Sequence, residues 1–167
     1  LYHMLSDFKA HTNVTALKTE SDICSRHFLD SVYPLKYELL PQKAKVIDIG
    51  CGAGFPGLPL KLLRPDIDIS FVDSTEKKLR FTSDVSEKFF LDAHIFPARA
   101  EELVSKGHRE KYDIVVSRAV ASLPVLCELC LPFVKVGGAF IAYKSLKECD
   151  AANPESELSL AAKAIPA

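Results

Sequence analysis

The chain has 167 residues, 48% hydrophobic and 26% charged, which suits one globular core and is too short for several. A formal net charge of −1 excludes the overall basic footprint of a protein that holds nucleic acid by bulk charge, though not a local basic patch. No apolar run nears the ~20 residues that span a membrane, and no signal-peptide pattern is read, so a cytosolic protein without a membrane partner is expected.

In chain order, "LYHMLSDFKAH" (1–11) and "ESDICSRHFLDSVYPLKYEL" (20–39) read as helices packed on the edge or face of a sheet. "KVIDIG" (45–50) is a β-branched strand running into a glycine loop, and "LPLKLL" (58–63) a helix that stops before Pro65. "IDISFVDS" (67–74) is a second strand ending in Asp73. "TEKKLRFTSDVSEKFF" (75–90) is an amphipathic helix with Thr75 as N-cap. A third strand, "AHIFPA" (93–98), is followed by a helical turn, "RAEELVS" (99–105). Then come a fourth strand, "YDIVVSRAV" (112–120), a helix, "LPVLCELCLPFV" (123–134), and a fifth strand, "GGAFIAYK" (137–144), introduced by a Gly-Gly turn.

Strands spaced by helices of this length imply right-handed βαβ units. The expected fold is α/β, a doubly wound, mostly parallel, Rossmann-like sheet. It divides into an N-terminal helical segment (1–44), a core (45–147) and a C-terminal tail (148–167) that reads as loop, helix or frayed end. Leu1 in place of Met points to a fragment or to an N-terminal segment left out, and a domain of this type is expected to continue past the tail.

The five cysteines are an odd number without a secretory context, which argues for reduced thiols. Cys127 and Cys130 form a lone C-x-x-C among apolar neighbours, which reads as a helix packed on a core; no metal site is expected.

The stretch "DIGCGAGFPGLPLKLLRPD" (48–66) holds four of the seven glycines. Gly52, Gly54 and Gly57 fit the G-x-G-x-x-G dinucleotide fingerprint, while Asp48, Gly50, Gly52 and Gly54 fit the D-x-G-x-G-x-G of nucleoside-binding methyltransferases. In doubly wound sheets ligands bind beyond the carboxyl ends of the strands, where strand order reverses. Asp73, ending the next strand, is placed to accept from both ribose hydroxyls. A nicotinamide cofactor needs its pyrophosphate on free amides at a helix start, and Pro56 and Pro59 remove two of them. Asp48 adds negative charge suited to the ammonium and sulfonium of S-adenosylmethionine. These features favour the methyl donor, and an NAD-dependent oxidoreductase is the alternative. Ala100 and Glu101, after the third strand, can flank an adenine ring, or Glu101 can be a solvated first-turn acid.

At the fourth strand's end stand Ser117 and Arg118. "SRAV" is not the N/D-P-P-Y/F tetrapeptide of adenine amino methylation, and no cysteine stands beside a proline as pyrimidine C5 methylation requires. What remains is an acceptor that is already nucleophilic and carries no proton, such as guanine N7. Arg118 suits a guanine O6, a phosphate or a structural ion pair with a nearby acid. Lys77, Lys78, Arg80, Arg99, Arg118, Lys144 and Lys147 gather on the expected ligand side, where they would contact phosphates.

The segments "NVTALKTESDICSRHFLDS" (13–31), "VIDIGCGAGFPGLPLKLLRPD" (46–66), "FVDSTEKKLRF" (71–81), "ARAEEL" (98–103), "YDIVVSRAVASL" (112–123) and "LPFVKVGGAFIAYK" (131–144) keep the order and spacing of a known family. The chain resembles the bacterial ribosomal RNA small-subunit methyltransferase G family, also called glucose-inhibited division protein B. The resemblance implies a class I methyltransferase that places a methyl group on guanine N7 in the decoding-region loop of small-subunit ribosomal RNA. The partner would be that RNA or the ribosomal particle, and the protein a monomer. S-adenosylmethionine contacts would fall on Gly50, Phe55, Asp73, Ala100, Glu101 and Arg118. The full candidate set adds Asp48, Gly52 and Gly54 for the cofactor, and His27 and Lys144 beside Arg118 for transfer, with Asp30 near the site. "YKSLK" departs from the family's usual K-G, Cys51 stands where threonine is common, the N-terminal helix is short, and the family's last two strands have no evident counterpart.

Overall fold

The computed structural model describes residues 1–9 and 19–164. Residues 10–11 of the first expected helix, 13–18 of the first family segment and 165–167 of the tail lie outside them. Five parallel strands form the sheet: β1 (Lys45–Ile49), β2 (Asp68–Asp73), β3 (Ala93–Pro97), β4 (Tyr112–Arg118) and β5 (Val134–Tyr143), in the order β3-β2-β1-β4-β5. Strand order reverses between β1 and β4, so the crevice for a ligand opens where β1 ends in the glycine loop.

The two faces follow strand parity. From β1 and β4, Val46, Ile114 and Val116 join one cluster with Leu58, Leu60, Phe81 and Val85, while Ile47, Ile49 and Val115 join the other with Leu103, Leu126 and Phe133. The first face is covered by α4 (Gly57–Leu63) and α5 (Glu76–Lys88), the second by α6 (Ala100–Leu103) and α7 (Leu123–Cys130).

The N-terminal residues form α1 (Tyr2–Lys9) and then one continuous helical path. It runs through α2 (Glu20–Ile23), a π-helical segment (Cys24–Leu29), α3 (Asp30–Val32) and a 3-10 segment (Tyr33–Tyr37). Leu5 and Ile23 are buried in the first cluster, and the Phe8 ring lies 5.0 Å from that of Phe81, so this layer covers a face of the sheet. A π segment widens the helix by one residue per turn and recurs near functional sites.

Two expectations change. The Gly137–Gly138 pair does not precede the fifth strand but lies inside β5, at an irregularity where Tyr112 pairs with Val134 and Ile114 already pairs with Ala139. Thr75 occupies the N-cap position of α5 without a side-chain cap bond; its backbone amide donates instead to Asp73 Oδ1 at 2.8 Å. The tail contributes α8 (Glu157–Ala164), whose buried Ala161 packs on Leu123 and Cys127.

Cys127 and Cys130 are buried on α7, and burial pushes the Cys130 thiol up to about 12. Leu126, fully buried just before them on the same helix, carries α7 onto the sheet. Leu126→Ala should lower unfolding free energy by about 2–5 kcal/mol in a denaturant titration, from lost burial plus the cavity left behind.

Candidate active site

The loop between β1 and α4 is held from beneath and from the side. Asp48 is fully buried, and its Oδ2 accepts from the Gly57 amide at 2.8 Å. Gly57 must be glycine for this: a Cβ there would stand 2.4 Å from Phe71 Cε1 and 2.8 Å from the same carboxylate oxygen. From the side, Asp73 Oδ2 accepts from the Gly52 amide at 2.9 Å, and the amides of Gly50 and Cys51 donate to the Val72 carbonyl at 2.8 and 3.0 Å. At Gly50, φ is +68°, and Val120 packs so closely that a Cβ would lie 2.4 Å from its Cγ2.

A cleft of about 350 Å³ opens beside this loop. Four of the expected cofactor contacts line it together: Gly50, Asp73, Ala100 and Glu101. Lys78 and Arg99 stand on its rim, and Val120 and Leu129 supply apolar wall. The last two were not selected from the sequence. Leu129 belongs to the apolar pattern of α7, and Val120 directly follows "SRA", which was the available signal. Each Asp73 carboxylate oxygen uses one acceptor site on the loop amides of Gly52 and Thr75, which leaves a second lone pair on each for a ligand hydroxyl. An acid at the ribose position, the small Ala100 and apolar walls fit the nucleoside of S-adenosylmethionine.

Arg118 lies on a different wall. Parity along β4 sends Ile114, Val116 and Arg118 to the face under the N-terminal layer, and the guanidinium meets the π-helical segment there. Its Nη1 donates to Asp30 Oδ2 at 3.0 Å, to Ser31 Oγ at 3.2 Å and to the carbonyls of Arg26 and His27 at 3.3 and 3.4 Å. Nη2 stands 3.1 Å from His27 Nδ1. The His27 ring stacks on Phe55 at 5.0 Å, and the Arg118 guanidinium lies 5.5 Å from the same ring. Thus Phe55, His27, Asp30 and Arg118 form one group adjoining the glycine loop, with the ion pair foreseen as one reading of Arg118 made to Asp30.

The remaining candidates sit elsewhere. Gly52 and Gly54 shape the loop, and Asp48 lies under it rather than in the cleft wall. Lys144 turns toward α8, where its Nζ meets Glu157 at 2.7 Å, the Ala121 carbonyl at 2.7 Å and Glu148 at 3.2 Å. Burial opposes the Lys144 charge, but the hydrogen bonds it donates to Glu157 and Glu148 together outweigh that and hold its pKa above the ordinary value. Glu157 also accepts from the Leu123 amide at 2.6 Å, so the cluster ties α8 to the start of α7. Among the described residues no group of three or more His, Cys, Asp or Glu could hold a metal ion, and no helix is long and apolar enough to cross a membrane.

A parallel sheet in this order, with a cleft beside the glycine loop at its switch point, is the fold of the class I methyltransferases. Similar solved structures include a putative caffeoyl-CoA O-methyltransferase from Staphylococcus aureus, with TM-score 0.60 and 16% identity over 97% of this chain and 77% of that one. A coclaurine N-methyltransferase bound to N-methylheliamine and SAH matches with TM-score 0.57 and 15% identity over 75% of this chain and 37% of that one.

The particular family follows from the sequence match: residues 1–166 fit the model of the rRNA small subunit methyltransferase G (GidB) family, and the chain belongs to it. The ribosomal RNA small subunit methyltransferase G of Clostridium novyi is 42% identical over 164 residues, 97% of this chain and 65% of that protein. The chain therefore spans about two thirds of the length of that relative. Family membership gives the oxidoreductase alternative no support.

Asp48 supplies a test of the loop. Burial pushes its carboxyl up from 3.8 to about 7, against the opposing pull of the Gly57 amide and Arg118, and Oδ1 has no hydrogen-bond partner among the described residues. The folded chain then holds a proton here that the unfolded chain releases at lower pH. This contribution to stability is full below about pH 4 and is lost as pH rises through about 7. Asp48→Asn keeps an acceptor for Gly57 and removes the titration. Urea unfolding from pH 4 to 8 should show wild-type stability falling relative to that variant, by a few kcal/mol at most.

Proposed function

We propose that the chain is an S-adenosylmethionine-dependent methyltransferase acting on guanine N7 of small-subunit ribosomal RNA, in the cytoplasm. The observation that carries the cofactor is the cleft that gathers Gly50, Asp73, Ala100 and Glu101 beside a glycine loop. The family carries the RNA substrate. When bound, S-adenosylmethionine supplies a methyl group made electrophilic by the attached sulfonium.

Asp73 would hold the ribose hydroxyls on its free lone pairs, and Ala100 and Leu129 would bracket the base. The Gly50 and Phe55 loop would seat the methionine end. Guanine N7 offers its lone pair without losing a proton, so no residue need act as a base. The chain's task is to align donor and acceptor and to tolerate a cationic product. Arg118 stands beside the loop with its guanidinium fixed by Asp30 and His27, where it would position the acceptor base or the cofactor carboxylate. Asp48 acts as loop anchor and Lys144 as the clasp of α8 to α7.

Calorimetric titration should give saturable binding of S-adenosylmethionine and none of NAD; the reverse pattern would discard the cofactor. Asp73→Ala should weaken the cofactor about tenfold or more, the scale of lost charged hydrogen bonds. Radioactive methyl groups should appear on guanine N7 of small-subunit RNA from cells lacking the activity, and label on adenine or protein would refute the substrate. Arg118→Ala should lower turnover more than about fivefold, from loss of ~1 kcal/mol or more in the transition state. Unchanged turnover would remove Arg118 from the site.

A further inference from the structure

Arg118 also lines a larger depression, of about 690 Å³. The 3-10 segment walls it with Tyr33 and Tyr37, and the end of β5 walls it opposite. Both tyrosines are more than half exposed, at 56% and 55%, although a tyrosine ring gains by burial. Four residues apart, they present their rings together at 5.5 Å between centroids and 71° between planes, and their hydroxyls are 3.1 Å apart. The Lys36 ammonium lies 5.8 and 5.7 Å from the two ring centres.

The charges of this surface are mainly positive. Arg26, Arg118 and Lys144 line the depression against the single carboxylate of Asp30, which is paired with Arg118. Lys144 is balanced by Glu148 and Glu157, which leaves Arg26 in the lining and Lys36 beside the two tyrosine rings as the cations open to a ligand. Arg26 is open to solvent, and its contact with Asp22 at 3.6 Å is an exposed, screened one. Exposed rings beside cations, next to Arg118, are what successive bases and their phosphates require of a single-strand platform. A purely apolar partner would leave these cations without counter-charge.

We infer that this depression receives a single-stranded RNA segment, with Tyr33 and Tyr37 stacking nucleobases while Arg26 and Lys36 meet the flanking phosphates. The inference rests on the proposed function for the identity of the polymer and adds the surface that holds it beside the transferred methyl. Because stacking tolerates any base, this surface would grip the strand, and the site beside Arg118 would select guanine.

The test is binding of a fluorescein-labelled eight-nucleotide single-stranded RNA, followed by anisotropy, alongside calorimetry with S-adenosylmethionine and an unfolding curve for every variant. Tyr33→Ala and Tyr37→Ala should each weaken RNA binding about fivefold or more, and the double variant further, with cofactor affinity and stability unchanged. Tyr33→Phe and Tyr37→Phe should keep most of the binding, since the ring is retained. Arg26→Ala should lower the slope of log affinity against log salt by about 0.7. Alanine variants that bind RNA like wild type, or wild type that binds no RNA, would overturn the inference. Wild type that methylates small-subunit RNA while both alanine variants match it would overturn this surface and leave the proposed function standing. RNA binding lost in the alanine variants, in a protein that transfers no methyl group, would support the surface and overturn the proposed function.

Discussion

The hydrogen bond from the Gly57 amide to the buried Asp48 carboxylate closes the loop on which the cleft depends. It folds the chain between β1 and α4 back over the end of the strand, and a side chain at Gly57 would push Phe71 and Asp48 apart. With the loop so closed, Gly52 can donate sideways to Asp73, and the two strands that carry the cleft are locked at their carboxyl ends. The arrangement places a carboxyl group in full burial, where its charge is costly and its pKa rises toward neutrality. The loop's geometry is thus bought with a titratable group in the core.

A second constraint is the two-residue period of β4. Ile114, Val116 and Arg118 share the face on which the N-terminal layer packs, so the last of them emerges beneath the π-helical segment. Peptide carbonyls of Arg26 and His27, the Asp30 carboxylate and the Ser31 hydroxyl converge on one guanidinium. Tyr143 adds a bond from β5, its hydroxyl donating to the Ser31 carbonyl at 2.7 Å. The N-terminal residues are therefore joined to the ends of β4 and β5 by polar contacts as well as by the buried Leu5 and Ile23. Any movement of this layer would be felt at Phe55 and the glycine loop through the stacked His27 ring.

The two depressions meet at the end of β4, one lined by Ala119 and Val120 and the other by Arg118. Neighbouring residues on one strand end thus face a nucleoside cleft and an aromatic, basic groove. In the proposed reaction, methyl transfer to an unprotonated ring nitrogen would be governed by alignment, and a rigid strand end between the two depressions would be a good place to fix it.

The strand and helix order was legible because it depends on local pattern: β-branched runs, glycine and proline punctuation, and a 3.6-residue period in 75–90. The same holds for Gly50, Asp73, Ala100 and Glu101, since a parallel doubly wound sheet brings the ends of successive strands to one crevice. Local pattern did not reveal the Gly-Gly pair as part of a strand, because β5 tolerates it only through its irregular pairing with β4. Nor did it show that Lys144 would meet two carboxylates from the tail, or that Asp48 would lie buried under its own loop. By itself, then, the sequence determined the fold, the four residues that meet in the cleft beside the glycine loop, and the family, all of which rest on contiguous motifs. Only the tertiary structure decided the partners of Arg118, Lys144 and Asp48, because long side chains and buried charges are assigned by whatever distant segments pack against them.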